Sequence, residues 1–404
     1  MFSIWIGIIG IVVLFILMIL GIPIAFCFAS IGLVGIVILK GFNATLGLSG
    51  VIPFMWASHY VLMAIPLFIL MGYFAFHAGI SRDLYDCSYK IFGSIPGGLA
   101  VATIVACAGF AATSGASLAC SGAMGAVAIP EMDKHGYAKA LSAGSVAAGG
   151  TLGILIPPSL CMIIFGSLAE ISVSRMFIAG ILPGLLLTFF YIIAVIIQVS
   201  INPSLGPRGP KFTLLDKLKS IKGIWMIAAL FTLLIGGIFG GIFTPTEAAG
   251  VGAFGALVFT IMRKRLSKKM IKDTLQEAGK TTAMIFLLYI GAMFFMSFLA
   301  LSRLPYVLSE WVVSLPISPV AIVISILLIY IPLGMVMDGI SMLVLTVPIF
   351  FPIVEGLHLD PTWFGILVVV VTELALITPP VGLNVFILKG VTDIPLHRIF
   401  LGII

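Results

Sequence analysis

Apolar residues extend over nearly the whole of this sequence, with few charges between them. Of the 404 residues, 61% are hydrophobic and 9% are charged, whereas about a quarter of the residues of a soluble domain are charged. A single membrane anchor needs only about 20 apolar residues and does not explain this composition. Runs such as 4–20 and 185–197 are apolar on all sides, unlike the alternating strands of a transmembrane barrel. The sequence therefore predicts an all-α polytopic membrane protein embedded in the lipid bilayer.

Basic residues are concentrated in two loops, 208–222 and 263–280, which carry five and seven Lys or Arg residues. By the positive-inside rule, both loops are predicted to be cytoplasmic. The 40 residues between them, 223–262, have the length of two spans joined by an external turn. Topology thus explains the positive net charge of +6, and we predict no nucleic-acid partner.

The segment 98–130 has an unusual length for a membrane protein. Its 33 residues are too many for one straight span and too few for two. A small polar break, 113–117, lies in its middle, and the arm before the break covers about 24 Å at ~1.5 Å per residue, short of the ~30 Å hydrocarbon core. We predict a re-entrant hairpin that opens toward the cytoplasm.

A shift of 222 residues superposes the sequence on itself at several positions. It takes 154–158 (ILIPP) onto 376–380 (LITPP), Pro130 onto Pro352, Gly180 onto Gly402 and, with a slip of two residues, 114–117 onto 338–341. Helix counting from the two basic loops gives the second copy the opposite orientation. Inverted repeats with paired broken segments are the layout of secondary transporters, which bind substrate and ions near the bilayer midplane.

The predicted organisation has four parts. They are N-terminal scaffold helices (1–79), a first repeat (80–200) with an inward-opening hairpin (98–130) and a broken helix (138–168), scaffold helices with the basic loops (201–279), and a second repeat (280–404) with an outward-opening hairpin (318–355) and a broken helix (362–390). After Gly180 the first repeat continues into a full span, 184–199, whereas only two residues follow Gly402. We therefore expect one more transmembrane helix beyond residue 404.

Each half offers two backbone breaks, a hairpin tip and a Pro-Pro interruption. Proline frees the carbonyls upstream of it from their helical partners. Freed carbonyls and hydroxyls are hard oxygen ligands suited to Na⁺, while half-helix N-termini attract carboxylates. A proline kink satisfied by neighbouring helices is the alternative for any one break, but symmetric pairs of breaks beside Ser-Gly tips favour a binding site.

Two carboxyl groups, Asp338 and Glu373, lie deep in apolar sequence. A carboxylate there costs several kcal/mol unless it is paired or binds an ion, so Asp338, at the second tip, is the best single cation ligand. For Glu373 a packing role and a coupling role both stay open. Further polar groups flank the Pro-Pro breaks, namely Thr151, Ser159, Thr378 and Asn384, and the predicted substrate contacts are Thr151, Ser159, Pro379 and Pro380.

The sequence lacks the common enzyme motifs. The sequence contains neither HExxH nor GxSxG, and Ala278–Thr281 resembles the end of a Walker A loop without its first glycine or a preceding strand. The five histidines are scattered without ligand spacing. We predict no enzymatic activity and no metal site other than one for Na⁺.

Several longer motifs resemble one known family. They are 148–159 (AGGTLGILIPPS), 177–184 (FIAGILPG), 337–341 (MDGIS), 346–350 (TVPIF) and 376–386 (LITPPVGLNVF). Together they resemble the DctM-type large membrane subunit of tripartite ATP-independent periplasmic (TRAP) transporters, and the resemblance covers nearly the whole chain. It departs at the C-terminus, where the family usually has one more helix.

The resemblance implies a Na⁺-coupled importer in the bacterial inner membrane. Its partners would be a small four-helix membrane subunit and a periplasmic substrate-binding protein that delivers a carboxylate such as a dicarboxylate or a sialic acid. The fold would be of the elevator type, in which a transport domain with both hairpins slides against a scaffold. By the same resemblance, one cation site would contain Ser114, Gly115 and Ser117 with the Pro157–Pro158 break, and a second would contain Asp338, Ser341, Thr378 and Asn384.

Two other functions stay open at this point. A stand-alone cation-coupled carboxylate symporter would have the same inverted hairpins and no partners. A channel-like or structural subunit would not need Na⁺.

Overall fold

The computed structural model describes residues 2–403, which form twenty α-helices and no β-strand, with short 3₁₀-helices at Tyr60–Met63 and Pro203–Leu205. The first ten helices are α1 (Phe2–Ile19), α2 (Ile24–Lys40), α3 (Phe42–Ala57), α4 (Ala64–His77), α5 (Ile80–Phe92), α6 (Gly98–Ser114), α7 (Ser117–Lys134), α8 (Lys139–Leu155), α9 (Leu160–Leu168) and α10 (Val173–Ile201). The others are α11 (Leu214–Ile221), α12 (Trp225–Phe239), α13 (Pro245–Met262), α14 (Lys268–Ser302), α15 (Leu304–Val313), α16 (Pro319–Gly334), α17 (Gly339–Gly356), α18 (Pro361–Ile377), α19 (Leu383–Val391) and α20 (Leu396–Leu401).

Within the described residues, six helical segments are long and apolar enough to cross a membrane. They are α1, α4 with the preceding 3₁₀ turn, α10, α13, α14 and α17. Two bent pairs raise the number to eight if each is one span, namely α8 with α9, bent by 41°, and α11 with α12, bent by 50°. The all-helical, polytopic character expected from the sequence is confirmed.

The two basic segments, which were predicted to be loops, are partly helical. The first contains α11, and the second contains the start of α14. Side chains cap both helices: Thr213 and Asp216 form a capping box at α11, and the Ser267 hydroxyl accepts from the Met270 amide at 3.1 Å. Such caps satisfy the free amides of a first turn, so the lysines that follow continue as helix.

The helix bounds of the two halves correspond at the 222-residue shift. Adding 222 to α7 (117–134) and α8 (139–155) gives 339–356 and 361–377, the bounds of α17 and α18 residue for residue. The correspondence reaches further back than the sequence motifs do, because α1 and α2 shift onto 224–241 and 246–262, close to α12 and α13. The correspondence of helix bounds thus extends over segments that the sequence analysis assigns to a scaffold.

The hairpins and broken helices pack crosswise. Within each half, the hairpin arms contact the broken helix, α6 and α7 on α8 in the first and α16 and α17 on α18 in the second. Between the halves, α9 packs on α17, α19 on α7, and α8 on α18. All four interruptions of the backbone are therefore brought into the same region of the protein.

Arg263, at the end of α13, ties this helix to the junction of α4 and α5. Its guanidinium donates to the carbonyls of Ala78 (3.1 Å) and Gly223 (3.2 Å) and pairs with Asp83 in α5, and its side chain is 17% exposed. Arg263→Met leaves these acceptors without their charged donor, which lowers the free energy of unfolding by about 2 kcal/mol. We expect a lower melting temperature in detergent by thermal unfolding. Lys264→Met, exposed and one residue on, is the matched control, and equal melting temperatures for the two variants would contradict this role.

Candidate functional site

The first hairpin tip is a tight turn between α6 and α7. Gly115 ends α6 in the left-handed region at φ 63°, and Ala116 is extended. A Cβ at Gly115 would lie 2.9 Å from the Pro158 carbonyl oxygen. Glycine is therefore required here both for the backbone conformation and for the close approach to the break.

This tip is joined to the interruption of the first broken helix. The Leu160 amide donates to the Gly115 carbonyl at 3.1 Å. Gly153 packs on the other side of the tip, where a Cβ would lie 2.8 Å from both the Ala116 oxygen and the Ser117 Cα. The Pro157–Pro158 interruption, whose peptide bond is cis, is buried. The tip and the break thus form one unit, as the sequence grouping of Ser114, Gly115 and Ser117 with Pro157 requires.

Asp338 begins α17 at the second tip. One carboxylate oxygen accepts from the amides of Ile340 (3.0 Å) and Ser341 (3.2 Å), and the other accepts from the Ser341 hydroxyl. The next residue, Gly339, approaches three helices: a Cβ there would lie 2.9 Å from Thr372 Cγ2, 3.6 Å from Cys161 Sγ and 3.8 Å from Ile154 Cδ1. The second tip therefore meets the broken helices of both halves.

Glu373 lies in α18 beside this junction. It is 1% exposed, and neither carboxylate oxygen has a hydrogen-bond partner within residues 2–403. Ser117, Cys120 and Cys161 are its neighbours from the first half. A buried carboxyl with no partner is among the most unfavourable groups in a membrane protein. The described residues therefore leave part of the hydrogen-bonding capacity of this region unused.

Other buried polar groups here also lack partners in the described part of the chain. They are the hydroxyls of Ser114, Ser121 and Thr372 and both side-chain amide atoms of Asn384. Asn384 is level with the start of α7, because α19 runs along α7 with Ile387 at Gly122 and Leu388 at Gly125. Each such group left unpaired costs about 1–3 kcal/mol, and a bound ion, water or ligand is the usual explanation. The donor set, carboxylate and hydroxyl oxygens, fits a hard cation such as Na⁺.

The remaining predicted residues differ in their surroundings. The Thr151 hydroxyl donates to the Ala148 carbonyl (2.6 Å) and lies 3.1 Å from the Tyr191 hydroxyl. Ser159 caps α9. Thr378 is half-buried and donates to the Leu374 carbonyl at 2.6 Å, while Pro379 and Pro380 are exposed, in contrast to the first break.

Sequence reasoning did not select Ser121, Thr372 or Cys161. Thr372 precedes Glu373, and Ser121 follows Ser117 by one helical turn. Both could therefore have been selected as polar neighbours of residues already singled out. Within the described residues, no group of three or more His, Cys, Asp or Glu side chains could hold a metal ion. The unpaired groups are therefore mostly neutral oxygen and amide atoms around one or two carboxyls.

Comparison with known proteins places this geometry in context. Residues 11–404 match the family described as "Tripartite ATP-independent periplasmic transporter, DctM component". The chain is 39% identical over 342 residues to the C4-dicarboxylate TRAP transporter large permease protein DctM of Pseudomonas aeruginosa, covering 84% of this chain and 79% of that one. It is 34% identical over 354 residues to the isethionate TRAP transporter permease protein DctMQ of Oleidesulfovibrio alaskensis, covering 86% of this chain and 55% of that one.

The fold is similar to that of a solved membrane transporter. The YdaH transporter of Alcanivorax borkumensis superposes with a TM-score of 0.62 over 90% of this chain and 85% of that one, at 13% sequence identity. At this identity the similarity concerns the fold alone.

Proposed function

The chain belongs to the DctM family of TRAP transporter components, and from this premise we propose that it is the large membrane subunit of a Na⁺-coupled importer of organic carboxylates. Members of this family are transporter permeases, not enzymes. The observation that carries the proposal is the cluster of buried, unpaired polar groups where both hairpin tips meet both broken helices.

The two halves are taken to be inverted, and the transporter to work as an elevator. The matching helix bounds and the crosswise packing support this, since exchanging the halves converts the α9–α17 contact into the α19–α7 contact. With both basic segments cytoplasmic, the hairpins enter from opposite sides. The hairpins and broken helices then move together against α1–α4 and α12–α14.

The helix N-termini at the junction fall into two kinds. Ser159 caps α9 and the Asp338 carboxylate caps α17, whereas α7 and α19 have no side-chain cap. Free amides at a helix N-terminus attract anions. The substrate carboxylate therefore lies near the starts of α7 and α19, where the unpaired Asn384 amide can donate to it.

Na⁺ binds beside this carboxylate, at the two hairpin tips. The second site consists of Asp338 and Ser341 with oxygens from Thr378 and Asn384, and the first consists of Ser114, Gly115 and Ser117 beside Pro157. A cation beside an anion lowers the cost of placing either charge at this depth. Each net positive charge carried inward across 100 mV adds about 2.3 kcal/mol of driving force, so two Na⁺ per monoanion would make uptake depend on voltage.

The partners are a small four-helix membrane subunit and a periplasmic binding protein in the bacterial inner membrane. The names of the two relatives support a tripartite system and an organic anion, a C4-dicarboxylate in one and isethionate in the other. Carboxylates, including C4-dicarboxylates and sialic acids, are the substrate class proposed here.

Reconstitution of the chain with its small subunit in proteoliposomes tests the proposal. We expect uptake of a labelled acid only when the loaded binding protein is outside and a Na⁺ gradient is directed inward. Uptake by the chain without a binding protein would instead establish a stand-alone symporter. Uptake that follows a proton gradient and ignores Na⁺ would contradict the cation sites.

A further inference from the structure

The short helix α11 turns its apolar side away from the protein. Leu214, Leu215 and Leu218 are 79%, 61% and 59% exposed, and Ile221 is also exposed. The opposite side, with Asp216 and Ser220, lies toward α5, and Lys217 is partly buried at the edge between the two sides. Helices on the surface of soluble proteins show the reverse arrangement, so the leucine side of α11 calls for an apolar environment outside the described chain.

The position of α11 identifies that environment. It lies directly before α12, and the axes of the two helices differ by 50°. The axis of α11 is therefore inclined to the candidate span that α12 forms. A capping box of Thr213 and Asp216 starts it, and hydrogen bonds from Thr213, followed by nearby Lys219 and Lys90, hold the pKa of Asp216 below its ordinary value. The helix is thus independently defined, amphipathic and located where the chain enters the membrane, as expected for an interfacial helix.

Lysines border the apolar side. At about 100° per residue, Lys217 and Lys219 lie on either side of Leu218, and Lys222 lies one turn beyond it. Lysine stems extend along apolar surface while their ammonium groups reach polar surroundings. This arrangement is complementary to acyl chains beneath a layer of negatively charged headgroups, and not to a neutral protein groove.

The segment before α11 is attached to the base of the first hairpin. The Ala138 amide donates to the Leu205 carbonyl (2.9 Å), the Tyr137 hydroxyl to the Pro207 carbonyl (2.9 Å), and the Gly209 amide to the Gly93 carbonyl (2.9 Å). Phe212 packs on Tyr89 of α5 with ring centroids 5.3 Å apart. A contact that restrains α11 is therefore transmitted to the end of α5 and to the base of the first hairpin.

We propose that α11 is a binding site for anionic phospholipids, with its leucines in the acyl boundary and Lys217, Lys219 and Lys222 on the headgroup phosphates. The contact couples the base of the first hairpin to the headgroup layer of one leaflet. Transport therefore depends on anionic lipid. This inference rests on the proposed function only where uptake is the quantity measured.

Two readouts test it. The native cysteines Cys27, Cys87, Cys107, Cys120 and Cys161 are all buried and free, so Leu218→Cys can be labelled selectively with an environment-sensitive fluorophore. In phosphatidylcholine vesicles containing phosphatidylglycerol we expect a blue-shifted label, and at least threefold faster uptake by the complete transporter than in phosphatidylcholine alone. The combined variant Lys217→Gln, Lys219→Gln and Lys222→Gln should lose both responses.

The matched control changes the same charge elsewhere. Lys268, Lys269 and Lys272 are exposed at the start of α14, and their combined replacement by Gln should leave both responses to phosphatidylglycerol intact. The inference is overturned if the α11 variant still responds like the unmodified protein, or if the label becomes buried only when the small subunit is added, whatever the lipid. A blue shift in a preparation without any uptake would support the lipid site and count against the proposed function.

Discussion

Asp338→Asn is expected to weaken the Na⁺ dependence of uptake strongly while leaving the protein folded. Asn caps a helix about as well as Asp, so the amides of Ile340 and Ser341 keep an acceptor. The negative charge is lost, however, and a charged ligand contributes about 1.5–3 kcal/mol. We expect the Na⁺ concentration for half-maximal uptake to rise about 10- to 100-fold, measured in proteoliposomes at saturating substrate.

Asp360→Asn provides the control. Asp360 caps α18 as Asp338 caps α17, with one carboxylate oxygen accepting from the Trp363 amide at 2.7 Å, but it is exposed and lies away from both tips. Its variant should transport with unchanged Na⁺ dependence. If Asp338→Asn behaved in the same way, the carboxylate would be a helix cap only, and the channel-like alternative would regain support.

The breaks of the backbone were predictable because their signals are local. Gly115 has the residue type that a left-handed turn requires, the Pro-Pro pairs cannot continue a helix, and an aspartate before a helical run is a typical N-cap, as Asp338 proves to be. The start of α14 was missed for the opposite reason. Its lysines were interpreted as a topology signal, although their propensity and the Ser267 cap favour helix.

The convergence of the four breaks was not predictable residue by residue. Gly339 meets Cys161 and Ile154 across more than 170 positions of sequence, and no local pattern specifies such contacts. The burial of the first Pro-Pro break was also hidden, because it depends on distant neighbours such as Gly184 of α10, where a Cβ would lie 2.7 Å from Ile156 Cγ1. Sequence similarity predicts equivalent backbones, whereas burial depends on which neighbours each half receives.

Gly153→Ala is expected to reduce uptake more than tenfold by displacing the first tip. The added Cβ would lie 2.8 Å from the Ala116 oxygen and the Ser117 Cα, and both are backbone atoms of the tip that cannot rotate away. Overpacking of this kind costs about 1–3 kcal/mol. Because α8 is buried along its length, the turn carrying Ser114, Gly115 and Ser117 is the part that must move.

The second half shows why the position needs a residue without a side chain. The residue equivalent to Gly153 is Ala375, since 153 plus 222 is 375, and room for its Cβ comes from Gly334, where a second Cβ would lie only 2.3 Å away. Each hairpin therefore approaches its broken helix through one glycine, contributed by the helix in one half and by the hairpin in the other.

Gly236→Ala in α12 is the control. No atom lies within 4 Å of the added Cβ, and an alanine with free space slightly favours a helix, so uptake should stay within about twofold of that of the unmodified protein. Normal Na⁺-dependent uptake by Gly153→Ala would mean that the tip adjusts freely, and the close contact between tip and break would then not form part of the cation site.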